Sequence, residues 1–247
     1  MAEHAADADG EVLGDTGLQS DVLEDLVEAV RYRRWLVDLC RPWLGDDPLE
    51  VGSGLGHYAS DWAASGVPRL TATEADPGRL AVLRQRFAGD RVVRVRELAV
   101  PVTDTAEHSA VVAVNVLEHV PDDVGALRDL GRLLRPGGRV VLVVPAFPSA
   151  MSAFDRAIGH QRRYRARTLR TALEQAGYEV ERLHHVNCVG LLGWYVAVRV
   201  LGGRPRAGLL LRTYDRGVVP WLRRLEARRT PPFGQSLLAV GRLPSAG

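Results

Sequence analysis

The sequence predicts an α/β fold, namely a doubly wound, mostly parallel sheet of seven strands with a helical insertion before the last strand. Short apolar segments alternate with amphipathic helical segments through residue 145, and the links between them are short. Such links favour parallel strands that are joined by right-handed crossovers. Two runs, 109–114 and 139–144, are almost continuously apolar, as expected of parallel strands that are buried on both faces.

The individual elements follow from apolar periodicity and from residues that start or stop helices. Gly45 ends the N-terminal helices, and Asp76 followed by Pro77 is suited to begin a helix, with Asp76 as N-cap. The predicted strands are 48–51, 69–73, 91–96, 109–114, 139–144, 179–184 and 236–241. The predicted helices are 22–34, 35–44, 57–65, 78–87, 124–134 and 166–176.

The length of 247 residues is sufficient to bury the core of a single α/β domain. Residues 1–17 are acidic and rich in small side chains, so we interpret them as a disordered tail. Residues 18–247 form the single predicted domain. Within it we expect N-terminal helices at 18–47 and an insertion at 187–234 that covers a substrate pocket.

Composition excludes several classes of function. The net charge is only +2, so the chain shows no general signature of a nucleic-acid-binding protein. All 32 basic residues are arginine, which excludes both a complete Walker A loop and a Schiff-base lysine. The two cysteines fit a reducing compartment, and the apolar run 188–198 is too short to span a bilayer. We therefore predict a cytoplasmic protein without stable membrane anchoring.

Three glycines at alternate positions, Gly52, Gly54 and Gly56, follow the first predicted strand and precede a helix. This pattern predicts a turn too tight for side chains, where a ligand touches bare backbone and helix N–H groups favour an anion. The spacing differs from the G-x-G-x-x-G of dinucleotide-binding folds. Glu50 stands two residues before the first glycine, which suggests a partner for the amino group of a zwitterionic cofactor tail.

A second acid, Glu74, ends the second predicted strand. At this place one carboxylate can accept both hydroxyls of a ribose diol. Because Asp76 is explained as a helix cap, Glu74 is the better candidate for a ligand contact.

Three motifs together resemble those of class I S-adenosylmethionine (SAM)-dependent methyltransferases. They are Glu50-Val51-Gly52-Ser53-Gly54-Leu55-Gly56, Asn115-Val116-Leu117-Glu118-His119 and the helix stop Leu134-Arg135-Pro136-Gly137-Gly138. The segment Gly159-His160-Gln161-Arg162-Arg163-Tyr164 is similar to one in a bacterial, small-molecule methyltransferase-like subgroup. The resemblance implies a Rossmann-like fold, SAM as cofactor and S-adenosylhomocysteine as product.

The resemblance also implies which residues hold the cofactor. Asn115 and the backbone after it would lie beside the methionine end of SAM, and Glu97 would face the adenine amino group. A solvated charge at the strand end is the alternative for Glu97. The complete predicted set is Glu50, Gly52, Ser53, Gly54, Gly56, Glu74, Ala75, Glu97, Leu98, Asn115 and Val116.

Candidate catalytic residues are those able to take a proton from the methyl acceptor: His119, His160 and Tyr164. The alternatives are that His119 only hydrogen-bonds its own loop and that Tyr164 only packs. No group of histidine and acidic residues shows convincing metal-ligand spacing, so the sequence predicts no metal.

Candidate substrate contacts begin with Arg162 and Arg163, whose guanidiniums can fork onto a carboxylate or phosphate. Asp155 is suited to pair with one of them and thereby fix the loop. The alternative is that both arginines are solvated charges before a helix. The remaining predicted substrate contacts are Tyr32, Asn187 and Trp194. For Tyr32 the alternative is ordinary packing of an amphipathic helix.

We therefore predict a SAM-dependent methyltransferase that acts on a small-molecule acceptor, a specialised metabolite with polar or anionic and apolar parts. Nucleic acid is not an expected partner, and the expected state is a monomer or homodimer. The alternatives are a SAM-binding regulatory or partner subunit without catalysis, and a protein or RNA methyltransferase. A nicotinamide-dependent oxidoreductase is disfavoured by the glycine spacing and by Glu50.

Overall fold

The computed structural model describes residues 28–194 and 209–245, and the predicted tail at 1–17 lies outside them. The strands are β1 Pro48–Val51, β2 Leu70–Glu74, β3 Val93–Glu97, β4 His108–Val114, β5 Leu134–Pro145, β6 Glu179–Val186 and β7 Ser236–Arg242. They form one sheet in the order β3-β2-β1-β4-β5-β7-β6. Among these described strands β7 alone runs opposite to the other six, so the prediction of a mostly parallel, seven-stranded sheet is confirmed.

The helices lie on both faces of this sheet. They are α1 Val30–Cys40, α2 His57–Ala64, α3 Pro77–Arg86, α4 Asp123–Gly131, α5 Ala153–Ala157, α6 Ala166–Gln175, α7 Cys188–Trp194, α8 Leu209–Thr213 and α9 Val219–Arg228. A π-helical turn, Tyr214–Val218, joins α8 to α9. Among the described residues, no helix combines the length and apolar character that crossing a bilayer requires.

Three predicted boundaries differ substantially from the structure. The helix predicted over 22–34 does not run through residues 28 and 29, and α1 begins at Val30. The N-terminal helix does not break at Trp35, because no glycine or proline interrupts the chain there and α1 continues through the buried residues 35–37. The helix expected to reach Leu134 ends at Gly131. Leu134 instead pairs with His108 in the sheet. The prediction failed because apolar periodicity does not distinguish the end of a helix from the start of a buried strand.

Alternating side chains of the central strands build a core layer on each face of the sheet. In β5, Val140, Leu142 and Val144 face the layer that contains α4 and α6. Val141 and Val143 face the other layer, which contains α1, α2 and α9. This two-sided burial explains why the strand is apolar at every position from residue 140 to residue 144.

The segment before β7 packs against the first helix through a buried acid. Asp215 is 3% exposed, and its carboxylate accepts the backbone N–H groups of Arg31 and Tyr32 at 3.1 and 2.8 Å. These are first-turn N–H groups of α1, which has no side-chain cap of its own. The insertion therefore caps a helix that lies far away in the sequence.

Replacing Asp215 with alanine is expected to lower the free energy of unfolding by about 1–2 kcal/mol, the range measured for lost N-caps. Urea unfolding measures the change. Asp38→Ala is the control, because Asp38 forms an exposed ion pair with Arg223 between α1 and α9 and such pairs contribute about 0–1 kcal/mol. Equal losses in the two variants would contradict the capping role.

Candidate active site

The three glycines form a left-handed turn at the carboxyl end of β1. Gly52, Gly54 and Gly56 have φ values of 67°, 55° and 81°, a region that other residues adopt only with strain. A Cβ at Gly52 would lie 2.8 Å from a methyl carbon of Val116, and one at Gly56 would lie 2.7 Å from the ring of Phe87. Gly56 thus permits close packing of α3, while Gly52 keeps the β1 and β4 loops together.

This turn lies where open α/β sheets bind ligands. The strand order reverses between β1 and β4, and the crevice at such a switch point opens at the carboxyl ends of the strands. Gly52, Asn115 and Glu97 are all exposed at that edge. The backbone of Gly52, the amide of Asn115 and the carboxylate of Glu97 are therefore accessible along the same edge of the sheet. This set of groups fits a nucleoside with a zwitterionic tail.

Glu74 binds the glycine turn directly. Its Oε2 accepts the N–H of Gly54 at 2.8 Å, and its Oε1 accepts the N–H groups of Ala75 and Asp76 at 3.1 and 3.0 Å. The side chain is 5% exposed, and Arg79 lies 3.5 Å away. Asp76 caps α3 by accepting the N–H of Arg79, which confirms its predicted role.

Glu50 is buried beneath the turn, with 2% of its surface exposed. Ser53 donates its hydroxyl to Oε2 at 2.7 Å, and the indole N–H of Trp62 donates to Oε1 at 3.1 Å. Burial raises the pKa of Glu50 to about 7, although both hydrogen bonds favour the ionised form. Ser53 also receives the N–H of Thr73, so the turn is tied to β2.

Next to this edge, three side chains from two segments converge. Glu118 and His119 lie in the short 3₁₀ turn after β4, and His160 lies in the loop before α6. The rings of His119 and His160 are 4.7 Å apart, edge to face, and Glu118 Oε1 is 3.8 Å from His160 Nε2. Burial raises the pKa of Glu118 to about 7, and burial together with His160 lowers the pKa of His119 to about 4.

Asp155 organises the segment that carries His160. It lies 3.1 Å from His160 Nδ1, accepts two N–H groups of Arg163 at 3.1 and 2.7 Å, and accepts the hydroxyl of Ser152 at 2.6 Å. Burial alone would raise the pKa of Asp155, but these hydrogen bonds outweigh burial and hold it well below its usual range. The predicted pairing of Asp155 with an arginine is confirmed.

The other predicted residues of this segment already have protein partners. Tyr164 is 2% exposed and donates its hydroxyl to Asp123 at 2.9 Å. Burial raises the pKa of Tyr164, and the negative charge of Asp123 raises it further. Arg162 pairs with the same carboxylate at 2.9 Å. Arg163 is buried against Asp155. These contacts provide structural roles for all three residues. The substrate contacts of Arg162 and Arg163 and the catalytic role of Tyr164 stay predictions.

Asn187 is a buried junction between the insertion and β7. Its amide donates to Gln235 at 2.9 Å, and its Oδ1 accepts the N–H of Gly190 at 2.9 Å and the hydroxyl of Tyr214. Tyr32 is only partly buried and contributes its backbone N–H to the cap by Asp215. Trp194 was also predicted to contact the substrate, but its side chain is not among those that the structure describes.

Two features of the site escaped the sequence analysis. Glu118 was recognised only as part of a motif, yet its carboxylate faces both histidines. Asp155 was assigned to an arginine but not to His160. The pattern Ser152-Ala153-Phe154-Asp155 forms a capping box that could have placed this acid at a helix start.

The chain belongs to a known family. The sequence model described as "Methyltransferase domain" matches residues 27–183, well over half of the chain. A protein of Mycolicibacterium smegmatis, named a probable S-adenosylmethionine-dependent methyltransferase, is 31% identical over 139 residues, which are 56% of this chain and 53% of that protein. The chain spans about half the length of the curated relatives it matches.

Solved structures share the fold at low sequence identity. A structure of the complex between the Haloferax volcanii Trm112 methyltransferase activator and a methyltransferase contains a chain that matches with a TM-score of 0.64 at 16% identity. The match covers 96% of this chain and 99% of that chain. The S-adenosylmethionine-dependent methyltransferase from Mesorhizobium loti matches with a TM-score of 0.58 at 15% identity, covering 84% and 95%. These structures confirm the predicted fold. The family model and the relative named a methyltransferase confirm the predicted superfamily and SAM cofactor, while the bacterial subgroup stays a prediction.

Proposed function

We propose that this chain transfers the methyl group of SAM to a small-molecule acceptor that is largely apolar and carries one nucleophilic polar atom. The observation that carries the proposal is the contact between Glu74 and the N–H of Gly54 at the β1–β4 switch point. This contact joins Glu74, the acid predicted to bind the ribose, to the glycine turn, whose backbone is predicted to bind the rest of the cofactor. SAM, when bound, supplies an electrophilic methyl group on a sulfonium.

Each residue at the edge has a defined task in this proposal. Glu74 accepts the ribose hydroxyls, and Glu97 accepts the adenine amino group. Exposed Gly52 and Asn115 flank the methionine end. Glu50 neutralises the amino group of the cofactor tail from beneath the turn, where a nearby cation would relieve the unfavourable burial of its carboxylate.

The acceptor we propose is apolar because of an open depression between residues 147–150 and α7 of the insertion. Phe147, Ser149, Ala150, Leu191 and Leu192 line a space of about 200 Å³. The two guanidiniums that would bind an anionic group are paired with Asp123 and Asp155. An apolar body with a single hydroxyl or amine matches these surroundings better than an anion does.

The rate of such a transfer depends mainly on alignment of the acceptor and exclusion of water. His119 and His160 are the candidates for receiving the acceptor's proton, since both lie in the cluster beside the glycine edge. Tyr164 is less suited, because its hydroxyl is buried against Asp123.

The proposal is tested by measuring S-adenosylhomocysteine release from SAM in the presence of a panel of apolar alcohols, phenols and amines. We expect release that depends on both the protein and an acceptor. SAM binding without release for any acceptor class would favour the alternative of a non-catalytic regulatory or partner subunit. Release only with added protein or RNA would favour the macromolecular alternative.

Replacing Glu74 with alanine is expected to weaken SAM binding by about 1–3 kcal/mol, the scale of a lost hydrogen bond to a charged group. Calorimetric titration with SAM measures the dissociation constant. Glu107→Ala, which removes an exposed acid at the other end of the sheet, is the control. An unchanged dissociation constant in Glu74→Ala would remove Glu74 from the cofactor site.

A further inference from the structure

The most unusual group in the described part of the chain is the carboxylate of Glu118. It is 0% exposed, and neither of its oxygens has a hydrogen-bond partner. A buried carboxylate without partners is strongly unfavourable, so native proteins rarely leave one unsatisfied. Its surroundings must therefore provide a positive charge or a proton.

Two histidines stand around this carboxylate. Glu118, His119 and His160 each offer one ligand atom, and these three atoms lie within 4.8 Å of one another. The three residues come from two loops that are held together by the backbone bond from Gln161 N–H to Glu118 O at 2.8 Å. The cluster is therefore fixed by the main chain and does not depend on a flexible segment.

The orientation of His160 determines which of its nitrogens faces Glu118. Asp155 accepts hydrogen bonds from Arg163 and Ser152 and can only accept from His160 as well, so His160 Nδ1 carries a hydrogen. In the neutral ring the lone pair then lies on Nε2, which is 3.8 Å from Glu118 Oε1. Two acceptors face each other at a distance too long for a hydrogen bond.

We propose that Glu118, His119 and His160 bind a divalent transition-metal cation, with Zn²⁺ as the best-fitting ion. Two imidazoles and one carboxylate form the ligand set of open zinc sites, in which a fourth position remains for another ligand. Asp155 acts as the outer acceptor that orients the ligating histidine, an arrangement typical of metal-bound imidazole. The charges agree, because Glu118 and Asp155 carry two negative charges against one positive charge on Arg163. Arg79, whose charge also acts on His119, is paired with Glu74.

The geometry needs only a modest contraction. Zinc ligand bonds of about 2.0–2.2 Å separate neighbouring ligand atoms by roughly 3.3–3.6 Å. The distance of 3.8 Å between Glu118 and His160 is already close to this range. His119 lies in a turn of three residues and is partly exposed, so it can close onto the ion and leave a path for entry.

The location suggests a use for the open coordination position. The same loop carries Val116, which lies next to Gly52 of the glycine turn: a Cβ at Gly52 would be 2.8 Å from a methyl carbon of Val116. A cation held here would bind an oxygen of the acceptor and favour loss of its proton to water, because His119 and His160 would then be metal ligands and could not accept that proton. This use rests on the proposed function, whereas the metal site itself does not.

The experiment uses the full chain after removal of metals by a chelator, without SAM and without acceptor. Zn²⁺ is titrated by calorimetry, and Co²⁺ is titrated by its visible absorption, which reports coordination directly. We expect one ion per chain. Glu118→Gln and His160→Ala are expected to weaken binding by more than the roughly 10–100-fold that loss of an outer partner costs.

His108→Ala is the matched control, because His108 lies at the amino end of β4. The glycine turn and the cluster lie at the opposite, carboxyl end of the strands. This variant should leave the binding constant unchanged. Folding is monitored through the melting temperature: Glu118→Gln conserves size and removes an unpaired charge, so the metal-free variant should melt no lower than the metal-free wild type. Zn²⁺ should raise the melting temperature of the wild type but not of this variant.

Two results would overturn the metal site. The first is the absence of Zn²⁺ and Co²⁺ binding by the wild-type chain, in which case a proton alone satisfies Glu118. The second is binding that survives unchanged in both Glu118→Gln and His160→Ala, which would place the ion elsewhere. Since neither measurement involves SAM, failure here leaves the proposed methyl transfer to its own test.

Discussion

Replacing Gly52 with valine is expected to abolish SAM binding, with a loss of at least about 100-fold or roughly 3 kcal/mol. Gly52 has a φ of 67°, where a β-branched residue is strained. Its new Cβ would also lie 2.8 Å from a methyl carbon of Val116. Valine side chains are stiff, so the clash would separate the β1 loop from the loop that carries Asn115.

Gly66→Val is the control that separates strain from contact. Gly66 has a φ of 83°, but a Cβ there meets no atom within 4 Å. Both variants should lose about 1–3 kcal/mol of stability from the backbone conformation, while only Gly52→Val should lose SAM. The measurement is calorimetric titration below the melting temperature of each variant. Micromolar SAM affinity in Gly52→Val would count against the cofactor site at this turn.

The fold was predictable because its signals are local. The strand 48–51 was bounded by Asp-Asp-Pro on one side and by glycines on the other, and the structure has the same limits. Asp76 followed by Pro77 identified a helix start from two neighbouring residues. Boundaries were wrong where no glycine or proline marks them, as at Trp35, and where helix and strand patterns coincide, as in residues 130–134.

The surroundings of the candidate site were not predictable to the same degree, because they depend on contacts between distant segments. Nothing in the spacing of Glu118 and His160 indicates that their side chains meet, since the meeting follows from the pairing of two loops. Similarly, Asp215 caps α1 across 184 positions. Arg163 was predicted as a substrate contact and Tyr164 as a proton acceptor from their side-chain chemistry, and the sequence did not show that both are buried against carboxylates.

Glu50→Gln is expected to change the pH dependence of stability. The folded-state pKa of Glu50 is raised to about 7 from its ordinary value of 4.5, so the folded chain binds this proton more tightly than the unfolded chain. Below pH 4.5 both states are protonated and Glu50 has no effect. As pH rises to 7 the unfolded state ionises first, and the free energy of unfolding falls by about 3 kcal/mol before levelling off.

Glutamine removes this ionisation while its amide oxygen still accepts the indole N–H of Trp62. The variant should therefore gain about 3 kcal/mol relative to wild type between pH 5 and pH 8, measured by urea unfolding at four pH values. Glu107→Gln, at an exposed position, should give a difference that is the same at every pH. A pH-independent difference for Glu50→Gln would show that the carboxylate is not kept buried in the folded chain.

The same variant distinguishes a ligand role for Glu50 from a purely structural one. If Glu50 faces the amino group of the cofactor tail, SAM binding stabilises the ionised carboxylate, because an adjacent cation lowers its pKa. The ratio of wild-type to Glu50→Gln affinity for SAM should then be larger at pH 8 than at pH 6. A ratio that stays constant would mean that Glu50 only supports the turn through Ser53 and Trp62, and that burial of its charge serves no purpose in cofactor binding.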